Sequence, residues 1–239
     1  ATFSVHLCMA PTSSVSFPVT STDTTEGTVS TSTLSYSTSN WNTAQTVTVY
    51  GVDDTLSDDN QAFSVTLGSV TSFDANYAGK NPDDVSVTNV DNETASITVS
   101  ALSGNTTEMG GTATFTVVLD SQPTSDISIA VSSSDTSEAT ISSSSLTFGS
   151  SNYSTLQTVT VTGVDDFYDD DNVSYTITVD PSSSITSYNT MTSSTVTGYN
   201  IDNDTAAIAV GAKSGNTSEF GTTATINVTL ATIPTANVS

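Results

Sequence analysis

At 239 residues the chain is long enough for one large domain or for two of about 110 residues each. Its 25 acids stand against two lysines and no arginine, and the resulting charge of −23 repels nucleic acid and anionic membranes. The single cysteine, Cys8, rules out an intrachain disulfide, so packing or metal must stabilise the fold. No apolar run is long enough to span a membrane, and no charged segment followed by an apolar one opens the chain.

Ser and Thr exceed a third of the residues, Val is the commonest large apolar residue, and helix formers are scarce. That composition suits strands. The 35% hydrophobic content is low, but it falls at alternating positions, which marks a globular all-β chain.

Aligned with itself, the chain repeats. Ala1 to Val5 matches Ala113 to Val117 at an offset of 112, and Gln45 to Val49 matches Gln157 to Val161. After a deletion near residues 73–88 the offset becomes 111: Asn89-Val90-Asp91-Asn92 matches Asn200-Ile201-Asp202-Asn203. Residues 224–239 begin the unit again. The expected divisions are therefore a repeat over 1–93 without its first strand, a complete repeat over 94–204, and the start of a third over 205–239.

Within the complete repeat, period-2 patterning predicts seven strands: Ala95–Ala101 (A), Thr112–Leu119 (B), Asp126–Ser132 (C), Ser145–Phe148 (D), Leu156–Val164 (E), Val173–Val179 (F) and Thr195–Ile201 (G). Turn signals fall at Gly110-Gly111, Gln122-Pro123, Gly149 to Asn152 and Pro181 to Ser184. The inward residues are Ile97 and Val99 on A, Phe115, Val117 and Leu119 on B, and Ile127, Ile129 and Val131 on C. Val159 and Val161 on E and Tyr175, Ile177 and Val179 on F complete the set. Seven antiparallel strands in about 110 residues is the size of an immunoglobulin-like sandwich.

Strands A, C, E and G then point the same way, so the A–B, C–D and E–F loops and the end of G share one pole. The acids collect there: Glu108, Asp135 and Glu138, Asp165 to Asp171, Asp202 and Asp204. Two carboxylates about 4 Å apart repel by about 4 kcal/mol at an effective dielectric near 20, so a cation must join such a group. Oxygen-only donors select a hard ion, and calcium tolerates irregular loops better than magnesium.

The order Glu-x-Gly-Gly-x-Ala-x-Phe-x-Val, then Val-Asp-Asp, then Asp-Asn-Asp/Glu-Thr-Ala resembles the Calx-beta repeat, over nearly the whole chain. The resemblance implies tandem seven-stranded calcium-binding sandwiches in a large bacterial cell-surface or extracellular protein of adhesin or filament type. Carried over by position, the calcium ligands are Glu108, Asp135, Asp165, Asp166, Asp169, Asp170, Asp171, Asp202 and Asp204. In the first unit they are Asp23, Asp53, Asp54, Asp58, Asp59, Asp91 and Glu93, and Glu219 opens a third site. Ser57 stands where Asp169 does, and the usual Gly-x-Asp-Tyr of the C–D loop is missing, which makes Asp23 and Asp135 the weakest matches.

The end of G runs into the next strand A without a Gly/Pro linker at Thr94-Ala95 and Thr205-Ala206. Metal at that pole would sit at a repeat junction and stiffen an extracellular rod or filament. The expected partners are neighbouring repeats or copies of the chain, with glycans at some of the eight N-x-S/T sequons, Asn92 and Asn203 excepted because they fall between ligands. An adhesin or carbohydrate-binding module is the alternative, with Trp41 and Tyr153 either as a sugar-stacking platform or as caps on the sandwich edge. No catalytic residues are expected: carboxylate pairs recur in each unit, and His6 and Cys8 have no third partner. Residues 205–223 match the strand that the first unit lacks. Either residues upstream, in a continuous longer chain, or another copy would supply it, the longer chain being the simpler arrangement.

Overall fold

The computed structural model describes residues 1–182 and 185–239. It divides into two compact units, Ala1–Thr94 and Ala95–Ser239. Both are built almost wholly of antiparallel strands. No helix among the described residues is long and apolar enough to cross a membrane.

In the first unit the strands are β1 (Thr2–Val5), β2 (Val15–Ser21), β3 (Gly27–Val29), β4 (Thr33–Tyr36), β5 (Gln45–Gly51), β6 (Gln61–Leu67), β7 (Thr71–Ser72) and β8 (Val85–Asn89). One sheet has the order β1-β5-β3; the other runs β4-β2-β6-β8, with β7 paired to β2. Val15, Phe17 and Val19 of β2, with Phe63, Val65 and Leu67 of its sheet neighbour β6, meet Val47 and Val49 of β5 in one buried cluster.

The second unit has β9 (Ile97–Val99), β10 (Thr106–Thr107), β11 (Thr112–Leu119), β12 (Ile127–Ser133), β13 (Ala139–Ile141), β14 (Ser145–Phe148), β15 (Gln157–Gly163), β16 (Val173–Ser182), the one-turn helix α1 (Thr186–Asn189) and β17 (Ser194–Ile201). A hairpin of β18 (Ile208–Val210) and β19 (Val228–Leu230) follows. The sheets are β13-β15-β11-β9 and β10-β17-β16-β12-β14. Every inward residue expected on strands B, C, E and F is buried, while Ile97 and Val99 of the edge strand are half-buried against the same core. Each fully buried side chain of this size contributes about 1.5–3 kcal/mol, the main force closing the sandwich.

The structure adds to the expected strands in three places. Strand A is broken: β9 pairs with β11, and after a turn β10 crosses to pair in parallel with β17. A short β13 lies between C and D, in the opposite sheet from both. The turn expected over Pro181 to Ser184 begins later, because Pro181 and Ser182 still belong to β16; Ser183 and Ser184 lie outside the described residues. Trp41 and Tyr153 are half-buried and pack on their cores, with their carbonyls accepting from Leu7 N and Leu119 N, as edge caps do.

Candidate metal centre

The crossing of strand A positions the first acid. Asn200 and Ile201 lie opposite Thr106 and Thr107, and the amide of Glu108 donates to Ile201 O at 3.1 Å. Gly110, at φ 78°, turns the chain back into β11 immediately afterwards, a backbone state that favours glycine. Glu108 is thereby held 2% exposed beside the end of β17. Its Oε2 accepts from Asn203 N at 3.1 Å.

Glu108, Asp202 and Asp204 bring carboxylate oxygens within 4.8 Å of one another. Oδ2 of Asp204 is buried and, among the described residues, has no hydrogen-bond partner. Burial pushes the Glu108 carboxyl up to about 6, and the nearby charges of Asp202 and Asp166 add to it. Asp204 is also raised, first by burial and then by Asp202 and Asp165. Removing water from a carboxylate disfavours its charged form, and no lysine relieves it here; Lys213 donates instead to Asn216.

A second trio, Glu138, Asp166 and Asp170, meets the same 4.8 Å limit. Glu138 is 6% exposed, and its carboxyl is raised by burial and by Asp170. The E–F loop that carries Asp166 and Asp170 is tied to the end of β17. The amides of Asp170 and Asp171 donate to Asp202 Oδ2 at 3.2 and 3.1 Å, and Asp202 N donates back to Asn172 Oδ1 at 3.2 Å. Asp171 adopts φ 65° to make this turn.

Other expected ligands have different surroundings. Asp165 accepts from Asn203 Nδ2 at 3.2 Å, and Asp169 accepts from Ala206 N at 2.7 Å, beside the trios but outside them. Asp171 is exposed, and its amide rather than its carboxylate takes part in the turn. Asp135 closes on its own turn, accepting from the amide and hydroxyl of Ser137, and Asp23 does the same with Thr25. These bonds hold both carboxyls below their usual range. Glu219 is exposed and joins neither trio.

The first unit repeats the build without a counterpart of Glu108. A cleft of about 240 Å³ is lined by Glu26, Asp53, Asp54, Asp58, Asp91 and Glu93 among others. Asp58 N and Asp59 N donate to Asp91 Oδ2, and Asp59 takes φ 66°, matching Asp170 and Asp171. Asp58 and Glu93 are raised, chiefly by burial, whereas the Glu93 amide holds Asp91 low.

Two residue types at the pole escape the resemblance. Glu138 and its repeat Glu26 precede the short strands β13 and β3, and the side-chain amide of an asparagine holds each. Asn200 Nδ2 donates to Glu138 Oε2 at 3.3 Å and to Val164 O at 2.8 Å; Asn89 does so to Glu26 at 3.2 Å and to Val52 O at 2.9 Å. Both pairs recur at the repeat offsets, and that recurrence is the signal by which the sequence displays them. The candidate ligand atoms are all hard carboxylate oxygens, gathered in two trios that each include a buried glutamate, so the residues fit a divalent hard cation.

No family model matches the chain, and no curated protein matches it. Among solved structures it is similar to the calcium-binding domain CBD12 of CALX1.1, with 15% identity, 77% of this chain and 76% of that chain covered, and a TM-score of 0.32. CBD12 from CALX1.2 follows at 14% identity, 75% and 74% covered, and a TM-score of 0.30. The D00–D0 domain of intimin is similar at 12% identity, with 84% and 93% covered and a TM-score of 0.31.

Proposed function

We propose that the chain is a structural repeat module of an extracellular rod or filament, and that calcium at the acidic pole orders its loops and stiffens the array. The observation that supports this most directly is the Glu108, Asp202 and Asp204 trio, in which a buried carboxylate oxygen of Asp204 has no hydrogen-bond partner among the described residues. Six carboxylates from three loops and the end of β17 stand in two adjoining trios, an arrangement that repulsion opposes unless positive charge is bound. Glu108, Asp202 and Asp204 would hold one ion, and Glu138, Asp166 and Asp170 another, with Asp165 and Asp169 at the rim. Bound calcium supplies charge neutralisation and cross-linking of loops, with no chemical step. Because the last ligands precede the next repeat by one residue, ordering them also sets how one repeat leaves another.

Titration calorimetry with calcium and magnesium, paired with small-angle scattering in calcium and in chelator, tests this. Calcium binding in preference to magnesium, with a longer and less variable particle in calcium, is the expected result. Absent binding, or scattering that does not change on chelation, would overturn the proposal.

A further inference from the structure

The complete repeat has an open side where strand A changes sheets. β9 ends its own sheet, and β10 pairs with β17 only at Asn200 and Ile201. Among the described residues, 194–199 therefore pair with β16 alone. A groove runs between the two edges, lined by Ile97, Val99, Leu102, Asn105, Thr195 and Thr197 among others. Unpaired N–H and C=O groups along such edges invite another strand, and charged side chains or proline ordinarily block them. Neither Ile97–Val99 nor residues 194–199 contain a charged residue or a proline.

Four N-x-S/T sequons fall within residues 94–204, at Asn105, Asn152, Asn172 and Asn203. A glycan can stand on the folded chain only where the side-chain nitrogen is exposed and holds no structural bond. Asn152 Nδ2 donates to Thr147 O at 3.1 Å and its Oδ1 accepts from Gly149 N at 2.7 Å, which closes the turn before β15. Asn203 Nδ2 donates to Asp165 Oδ1 at 3.2 Å. Asn172 Oδ1 accepts from Asp202 N at 3.2 Å, which sets that side chain among the carboxylates of the acidic pole. Asn105 differs from all three: it is exposed, and among the described residues its side-chain amide has no hydrogen bond. It follows Gly104, where an added Cβ would meet nothing within 4 Å, in the turn from β9 to β10. The sequon also belongs to the repeat, since Ser103-Gly104-Asn105-Thr106 recurs as Ser214-Gly215-Asn216-Thr217, with Ser218 in the place of Thr107.

We propose that Asn105 carries an N-linked oligosaccharide that covers the open side between β9 and β17. The sugar comes from a polyprenyl-diphosphate-linked oligosaccharide. Asn105 Nδ2 bonds to C1 of its first sugar, the bond from C1 to the diphosphate oxygen breaks, and the displaced amide proton leaves with the polyprenyl diphosphate. Nothing is oxidised or reduced. Attached at the rim of the groove, the glycan lies over the free main-chain groups of both edges and keeps a second copy from adding a strand there. The proposal rests on the extracellular reading above, because sequons are used on secreted chains.

Glycopeptide mass spectrometry of the full chain from its own source, with electron-transfer fragmentation, locates sugar on each asparagine. Asn105 is expected to be occupied at least about tenfold more than Asn152, Asn172 or Asn203. A bare Asn105, or equal occupancy at Asn152 and Asn203, overturns the assignment. Asn105→Gln, made in the same source, should lose the glycan. In sedimentation velocity at a salt concentration that screens the charge of −23, it should raise the self-associated fraction about fivefold. Unchanged association overturns the covering role. Protease shaving of intact cells reads the location separately. An exported chain with a bare Asn105 leaves the extracellular reading standing, whereas a chain protected from shaving overturns that reading.

Discussion

The buried side chain of Asn200 donates to Glu138 Oε2 at 3.3 Å and to Val164 O at 2.8 Å, joining β17 to the loops before β13 and after β15 at the base of the acidic pole. Asn200 Oδ1 also accepts from the Thr106 hydroxyl at 3.1 Å, which ties β10 to the same point. One amide thus holds three segments that deliver carboxylates.

Asn200→Leu removes both donors and the acceptor and leaves Glu138 buried without its partner. An unsatisfied buried group costs about 1–3 kcal/mol, so a loss of about 3 kcal/mol is expected in urea unfolding without calcium. Asn200→Asp places a further negative charge at Glu138. It should be the less stable of the two in chelator and the more strongly rescued by calcium, which thermal melts of both variants in the two conditions would check.

Stability of the calcium-free protein should depend on pH through Glu108. Its folded value lies at about 6, above the 4.5 of the free side chain. The folded state therefore binds the proton more tightly, and the contribution is fully present below 4.5 and lost as pH rises through about 6. The displacement corresponds to about 2 kcal/mol at most. Glu108→Gln should flatten this window in chelator, raise stability at pH 7, and weaken calcium binding tenfold or more; urea titrations at pH 4.5 and 7 separate the effects.

Asp135 gives the opposite slope. Its carboxyl is held low by Ser137, so its contribution is present above 3.8 and is lost as pH falls through its lower folded value. Asp135→Asn should lower stability at neutral pH without changing calcium affinity by more than about twofold. A loss of affinity comparable to that of Glu138→Gln, measured by the same calorimetry, would place Asp135 among the ligands.

Gly163 sits where β15 enters the pole, and a Cβ there would lie 2.2 Å from Thr107 O and 2.4 Å from Asn200 Oδ1. Gly163→Ala should cost about 2–3 kcal/mol, because backbone must move. Gly104→Ala, with nothing within 4 Å, should be close to neutral in the same unfolding assay.

Chelation should lower the melting temperature. Calcium at 100 times its dissociation constant adds about 2.7 kcal/mol per site, which for a unit of this size is a shift of roughly 10 °C or more in differential scanning calorimetry.

Much of this protein is written in its sequence by periodicity. Alternation in Thr112–Leu119 or Gln157–Gly163 can bury only one face of a strand, so Phe115, Val117, Val159 and Val161 were bound to meet in a core whatever the topology. The self-alignment likewise displays the paired acidic loops, since recurrence at a fixed offset is visible without coordinates. What tertiary structure alone decided is which acids converge. Asp135 and Glu138 lie three residues apart in the same Ser-rich loop, yet Asp135 folds back on Ser137 while Glu138 turns inward to Asp166 and Asp170. The break between β9 and β10, set by pairing with two different sheets, brings Glu108 to Asp202 and Asp204 across more than 90 positions of chain. Local pattern fixes which face a residue takes; the distance between two carboxylates depends on where loops from separate strands end, and no local period encodes that.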